Sequence, residues 1–85
     1  MAVEILYFAW VRDGIGRDGE TVDPPAEVAT VADLIAWLAA RGDGYAEAFA
    51  RPARIRAAID QDFVPHDAPI AGAREIALFP PVTGG

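Results

Sequence analysis

The fold is decided by the stretch Glu75-Ile76-Ala77-Leu78-Phe79-Pro80-Pro81-Val82-Thr83-Gly84-Gly85. Its first five residues predict a strand, which two prolines stop because they lack the N–H that a sheet ladder requires. Their fixed φ favours an extended segment, so the residues that follow should stand away from the sheet. Gly84 and Gly85 have no Cβ and can enter a channel too narrow for side chains. We therefore expect a folded domain, 1–79, and an extended tail, 80–85.

Four further segments have the composition or the alternation of strands. The first, 3–11, is rich in β-branched and aromatic residues, and alternation places its side chains on two faces. The inner face is Val3, Ile5, Tyr7, Ala9 and Val11, and the outer face includes Leu6, Phe8 and Trp10. Glycine-rich residues 13–19 then predict a turn, and short strands follow at 20–22, 54–60 and 63–64.

A single main helix is predicted to begin at Thr30. Thr30 and Asp33 have the spacing of a capping box, and apolar residues follow at helical intervals. These residues are Val31, Leu34, Ile35 and Leu38. Arg41 and Gly42 are typical of a helix end, and 45–51 can add a turn or two. The order β-β-α-β-β-β predicts an α+β domain, in which a mixed sheet of about five strands packs on one main helix.

Composition excludes several classes of protein. The chain has 85 residues, of which 53% are hydrophobic, and no cysteine, so disulfides and thiolate metal sites are excluded. Thirteen acidic residues oppose seven arginines and no lysine, which gives a net charge of −6 and disfavours nucleic-acid binding. Charge complementarity favours basic protein partners, although acidity also simply keeps a protein soluble. We expect no signal peptide and no membrane span, and we expect a cytoplasmic protein.

Three segments resemble the small, sulfur-carrying subunits of molybdopterin synthase. The stretch from Ala77 to Gly85 resembles their C-terminal signature, and Ile5-Leu6-Tyr7-Phe8-Ala9-Trp10-Val11-Arg12 resembles their opening strand. Ala57-Ala58-Ile59-Asp60-Gln61-Asp62-Phe63-Val64, followed by an Asp67 and Pro69 loop, resembles their middle hairpin. The region 23–52 is similar in helix pattern only. The resemblance implies a ubiquitin-like β-grasp fold.

The resemblance also implies a function. In this family an ATP-dependent adenylating enzyme activates the terminal carboxylate, here that of Gly85, and a sulfur donor enzyme converts it to a thiocarboxylate. The large catalytic subunit of molybdopterin synthase then receives the sulfur for a cyclic pterin precursor. The chain itself is expected to be non-catalytic and to hold no bound cofactor or metal. Besides Gly85 and Gly84, the implied site consists of partner-binding residues: Phe8, Arg12, Phe63, Phe79, Pro80, Pro81, Val82 and Thr83.

Other interpretations stay open at this point. A carrier for thiamine synthesis or tRNA thiolation, or a protein modifier, would share the fold and the Gly-Gly end. A plain interaction module with an accidental Gly-Gly pair is a different class of protein. A register error of one residue would move Phe8 and Phe79 into the core.

Three weaker patterns have structural interpretations. His66 lies near several aspartates but has no second nitrogen or sulfur ligand, so it reads as a loop residue. Gly14, Gly16 and Gly19 match the spacing of a dinucleotide fingerprint, yet no helix or βαβ unit is predicted there, so they read as a turn. Trp37 is expected to be partly buried on the helix.

Overall fold

The computed structural model describes residues 2–81. The predicted site residues Val82, Thr83, Gly84 and Gly85 lie outside the described residues. Within residues 2–81, five strands form one sheet: β1 (Val3–Tyr7), β2 (Gly19–Val22), β3 (Arg56–Ile59), β4 (Asp62–Val64) and β5 (Glu75–Phe79). Three α-helices and a 3-10 turn connect them: α1 (Ala9–Ile15), α2 (Val31–Ala39), α3 (Asp43–Ala48) and the turn Pro52–Arg54. No helix within 2–81 is long and apolar enough to cross a membrane.

The sheet is mixed, as predicted, and β5 lies at its centre. The strand order is β2-β1-β5-β3-β4. All neighbours are antiparallel except β1 and β5, which run parallel with Ile5 opposite Ile76. β1 and β5 therefore end at the same edge of the sheet, and the chain leaves the sheet at Phe79.

Helix α2 covers one face of the sheet and forms the core with it. The Thr30 side chain accepts a hydrogen bond from the Asp33 N–H, and the Asp33 carboxylate accepts one from the Thr30 N–H, which completes the predicted capping box. The four apolar residues at helical intervals in α2 are fully buried: Val31, Leu34, Ile35 and Leu38. They pack in one apolar cluster with Ile5, Ile76 and Leu78 of the sheet. The inward orientation predicted for Val3, Ile5, Tyr7 and Val11 is confirmed.

The first strand is shorter than predicted, and a helix follows it. β1 ends at Tyr7, and Ala9 adopts a left-handed φ of 53° that turns the chain into α1. Ala9 is therefore exposed rather than inward-facing. Val11 is buried because it lies on the inner side of α1, not because a strand continues. Alternation alone was wrong here, since an L-residue with positive φ costs about 1–2 kcal/mol and is not anticipated from sequence.

The glycines of 13–19 do more than form a turn. Gly14 lies within α1, Gly16 ends that helix with a φ of 90°, and Gly19 begins β2. A Cβ on Gly44 would collide with the Gly14 carbonyl oxygen, so α1 and α3 pack backbone to backbone here. The end of α2 also differs, because the helix stops at Ala39 and Gly42 is the N-cap of α3.

The β3–β4 hairpin offers a test of local backbone strain. Its two loop residues, Asp60 and Gln61, both have positive φ, of 50° and 75°. Two-residue loops of this kind favour Asn-Gly or Asp-Gly, because glycine adopts positive φ without strain. We expect Gln61→Gly to raise the free energy of unfolding by about 1 kcal/mol, measured by urea denaturation. Gln61→Ala keeps the strain and should give no gain; a destabilised Gln61→Gly protein would contradict this turn geometry.

Candidate functional site

The edge at which β5 ends gathers most of the described residues that were predicted to form the site. Phe8 directly follows β1, and its N–H donates to the Leu78 carbonyl at 3.3 Å. Arg56, at the start of β3, lies opposite Phe79. The chain continues from Phe79 into Pro80 and Pro81, which are half-buried. The sheet thus brings three strand ends to the point where the chain leaves it.

Two phenylalanines form an apolar contact beside this exit. The rings of Phe63 and Phe79 are 5.7 Å apart between centroids and are tilted by 50°. Phe63 is 82% exposed although it is a large apolar side chain. A groove of about 440 Å³ lies alongside, lined by Arg56, Ala57, Phe63, Val64, Pro65 and Phe79. Exposed aromatic surface next to a groove is typical of a protein interface.

A second exposed group lies at the start of α1. Phe8 and Trp10 are 45% and 43% exposed. Arg12 lies one turn from Phe8, whose carbonyl accepts a hydrogen bond from the Arg12 N–H at 3.3 Å, and its side chain pairs with Asp13. Phe8 and Trp10 were predicted to face outward on a strand; both are exposed, but Trp10 is on a helix and Phe8 caps its N-terminus. Val11 and Ile15, four residues apart and followed by Gly16, are a helix signal that sequence reasoning missed.

The strand register arranges the open face of the sheet, opposite α2, in three rows. A row that we call the apolar stripe takes one residue from each strand: Gly19, Leu6, Ala77, Ala58 and Phe63. On one side of it, Glu4 and Glu75 lie directly opposite each other and form what we call the acidic edge. On the other side, Phe79 and Arg56 form the tail edge. Phe63 and Phe79 therefore lie on one face, and the register error that would bury Phe79 has not occurred.

Comparison with known proteins agrees with this architecture. Residues 5–85 match the ThiS family. The chain belongs to the ThiS family. It is 39% identical over 83 residues to a molybdopterin synthase sulfur carrier subunit from Escherichia coli, covering 98% of this chain and 99% of that protein. It is 35% identical over 83 residues to the same subunit from Haemophilus influenzae, with the same coverage.

Solved structures of related proteins confirm the ubiquitin-like β-grasp fold of this ThiS-family chain. SAMP1 from Haloferax volcanii superposes with a TM-score of 0.72 and is 26% identical, with full coverage of both chains. A chain of the complex of subunits 1 and 2 of the molybdopterin-converting factor from Helicobacter pylori gives a TM-score of 0.64 at 21% identity, also over both full chains, and shows the fold alone.

The covered face of this ThiS-family sheet holds a polar cluster that the sequence did not reveal. The Glu20 carboxylate accepts hydrogen bonds from the hydroxyls of Tyr7 and Tyr45 at 2.8 and 2.7 Å, and from Arg41 at 3.0 Å. Arg41 also lies over the ring of Trp37, which is half-buried as predicted. The cluster joins β1, β2 and both neighbouring helices, so it stabilises the scaffold rather than the exposed face.

Opposing effects set the ionisation of this cluster. Burial disfavours the charge on Glu20, but the hydrogen bonds from Tyr45, Tyr7 and Arg41 outweigh it and hold the pKa of that carboxyl below its ordinary value of 4.5. Burial and then the bond to Glu20 raise the pKa of Tyr7 above its ordinary 10.0. Glu20 therefore adds stability above its unfolded pKa that is lost as pH falls through its folded pKa. Tyr7 adds stability that is lost as pH rises above 10.0.

Replacing Glu20 should weaken the fold in a pH-dependent way. We expect Glu20→Gln to lower the free energy of unfolding at neutral pH by about 2 kcal/mol, because charged hydrogen bonds to two tyrosines and an arginine are lost. The difference from the native chain should begin to shrink as pH falls below 4.5, the ordinary pKa, and should be lost as pH falls through the lowered folded-state pKa of Glu20. Urea denaturation of both proteins, at neutral pH and at acidic pH, measures this difference in the free energy of unfolding. Glu47→Gln, an exposed substitution of the same chemistry, is the control, and an equal loss at every pH would refute the role of the charge.

His66, the remaining candidate for a metal site, has a structural contact. His66 Nε2 lies 2.6 Å from the Ile55 carbonyl oxygen and is half-buried, so the side chain ties a loop to the start of β3. Within 2–81, no three histidine, cysteine or acidic side chains group as a metal site.

Proposed function

We propose that this chain is the sulfur carrier subunit of a molybdopterin synthase and that it carries sulfur as a thiocarboxylate on Gly85. The observation that carries the proposal is membership of the ThiS family, with sulfur carrier subunits as relatives at 35 to 39% identity over nearly their whole length. The family match extends to residue 85, and so includes the glycine pair.

The proposed chemistry divides between this chain and its partners. The adenylating enzyme joins the Gly85 carboxylate to the AMP part of ATP, and pyrophosphate leaves. Sulfide-level sulfur from the donor enzyme then attacks the acyl carbon and AMP leaves, which gives the thiocarboxylate without a change of oxidation state. In the large catalytic subunit this sulfur bonds to the cyclic pterin precursor, and water then cleaves the acyl–sulfur bond, which leaves the sulfur on the pterin and returns Gly85 to a carboxylate. This chain contributes an acyl group on a narrow segment and a surface that positions it.

The exposed surface supports a role for this chain in positioning the acyl group at a partner's active site. Phe63, Phe79 and Phe8 present apolar area at the edge where β5 ends, so a partner that covers them sits next to Pro80 and Pro81. Docking there would guide the following residues toward the partner's active site, and fixed placement of a reacting group is a large part of catalysis.

Intact mass measurement tests the proposal. Incubation with the adenylating enzyme, ATP and a sulfur source should raise the mass of the chain by the difference between sulfur and oxygen. Addition of the large subunit and the pterin precursor should return the mass to its starting value. A mass that stays constant in a system that loads the Escherichia coli carrier would refute the proposal. If the loaded chain delivers sulfur only to a thiamine or tRNA pathway, the carrier role would stand but the proposed acceptor, the pterin precursor, would be wrong.

A further inference from the structure

The open face of the sheet is polarised along the strands, although the chain as a whole is acidic. The acidic edge and the tail edge lie four residues apart on β5, from Glu75 to Phe79, a span of about 13 Å. This span exceeds the screening length of about 8 Å at physiological ionic strength. A partner on this face therefore meets two separate poles, with the apolar stripe between them.

The positive pole is Arg56. Its side chain is exposed, it faces the groove beside Phe63 and Phe79, and it forms no ion pair within 2–81, where the arginines that do so are Arg12, Arg17 and Arg41. A cation at this position runs against the net charge of −6, from which basic partners were predicted. At the tail edge, the complementary partner group is a carboxylate.

The negative pole consists of two carboxylates at neighbouring register positions. Glu4 and Glu75 are direct cross-strand partners on one face, and like charges in this arrangement destabilise a sheet. No arginine among residues 2–81 pairs with either carboxylate. A cation on a partner would neutralise both carboxylates at once.

The charges at the two edges add an electrostatic signal for orientation that the apolar stripe lacks. The stripe runs across all five strands, and its two orientations on a partner, related by a half-turn about the sheet normal, differ only in bulk, since Phe63 lies at one end and Gly19 at the other. Only one of them points Pro80 toward the partner's active site. Charges at opposite edges distinguish the two orientations, because the wrong one places like charges together.

We propose that Arg56, with Glu4 and Glu75 at the opposite edge, sets the orientation in which the large catalytic subunit binds. The inference rests on the proposed function for the identity of that subunit. The subunit is expected to present a carboxylate beside the pocket for Phe63 and Phe79 and a cation opposite the acidic edge.

Affinity for the large subunit, measured by calorimetry at low and high salt, tests this proposal. Arg56→Glu is expected to weaken binding about tenfold at low salt and less at high salt. Glu4→Arg should also weaken binding about tenfold, although it relieves the repulsion with Glu75 and raises thermal stability. Arg74→Glu is the matched control, since it changes the net charge as Arg56→Glu does but lies at the start of β5, near the acidic edge. Its affinity should equal or exceed that of the native chain.

The outcomes separate the inference from the function on which it rests. Native affinity in Arg56→Glu or in Glu4→Arg would overturn the inference while leaving the carrier function intact. Equal losses in Arg56→Glu and Arg74→Glu would also overturn it, because net charge alone would then explain the effect. A native chain that gains sulfur but does not bind the large subunit would refute the proposed acceptor and the inference together. Melting curves confirm that each variant is folded.

Discussion

Removal of Gly85 is expected to abolish sulfur transfer while the domain stays folded and still binds its partners. Deletion draws the terminal carboxylate back by one residue, about 3.5 Å in an extended chain. A displacement of 1 Å can already cost about a hundredfold in rate, so we expect a loss of at least that size in sulfur loading and delivery. Intact mass spectrometry measures loading, and pterin product formation measures delivery.

Two matched variants locate the effect in the position of the carboxylate. Addition of one glycine after Gly85 displaces the carboxylate the other way and should be as inactive as the deletion. Thr83→Ser keeps the length and the glycine pair and should retain activity. A shortened chain that still gains sulfur at the native rate would show that Gly85 is not the modified residue.

Phe63→Asp is expected to prevent docking without unfolding the domain. The side chain is 82% exposed on an edge strand, so a carboxylate there stays hydrated and should change the free energy of unfolding by no more than about 0.5 kcal/mol. In a complex the same carboxylate would lie in an apolar pocket. We expect binding to weaken by at least about 2 kcal/mol, roughly thirtyfold, as for an interface hot spot.

The control for this substitution is Phe63→Leu, which keeps an apolar side chain at the groove and should bind nearly as well as the native protein. Phe79→Asp is a less clean test, because Phe79 is half-buried against Phe63 and its loss also affects the fold. Native affinity in Phe63→Asp, measured by calorimetry with the large subunit, would remove Phe63 from the docking surface.

Local signals in the sequence were sufficient for the central elements. The capping residues Thr30 and Asp33 and the apolar spacing from Val31 predict α2, and all of these contacts lie within one turn or one helix face. β5 was predicted with its observed bounds, because alternation and Pro80 mark its two ends. The β-grasp topology itself came from the resemblance, since a single sequence does not specify which strands pair.

Features that depend on tertiary contacts were missed. Helix α1 requires Ala9 to turn into a left-handed conformation, and Val11 points inward under either a strand or a helix pattern, so its burial did not separate them. The groove and Arg56 depend on the β3–β5 register, which joins residues 23 positions apart along the chain. Net charge predicted basic partners, but it averages over the molecule and hides the cation at the tail edge.

The central place of β5 has a mechanical consequence. A partner that pulls on the chain beyond Phe79 applies force along the axis of β5. The hydrogen bonds of β5 to β1 and to β3 then bear this force together, in shear. An edge strand under the same pull would lose its bonds to a single neighbour. A pull on Phe79 is therefore resisted by two sets of backbone hydrogen bonds at once.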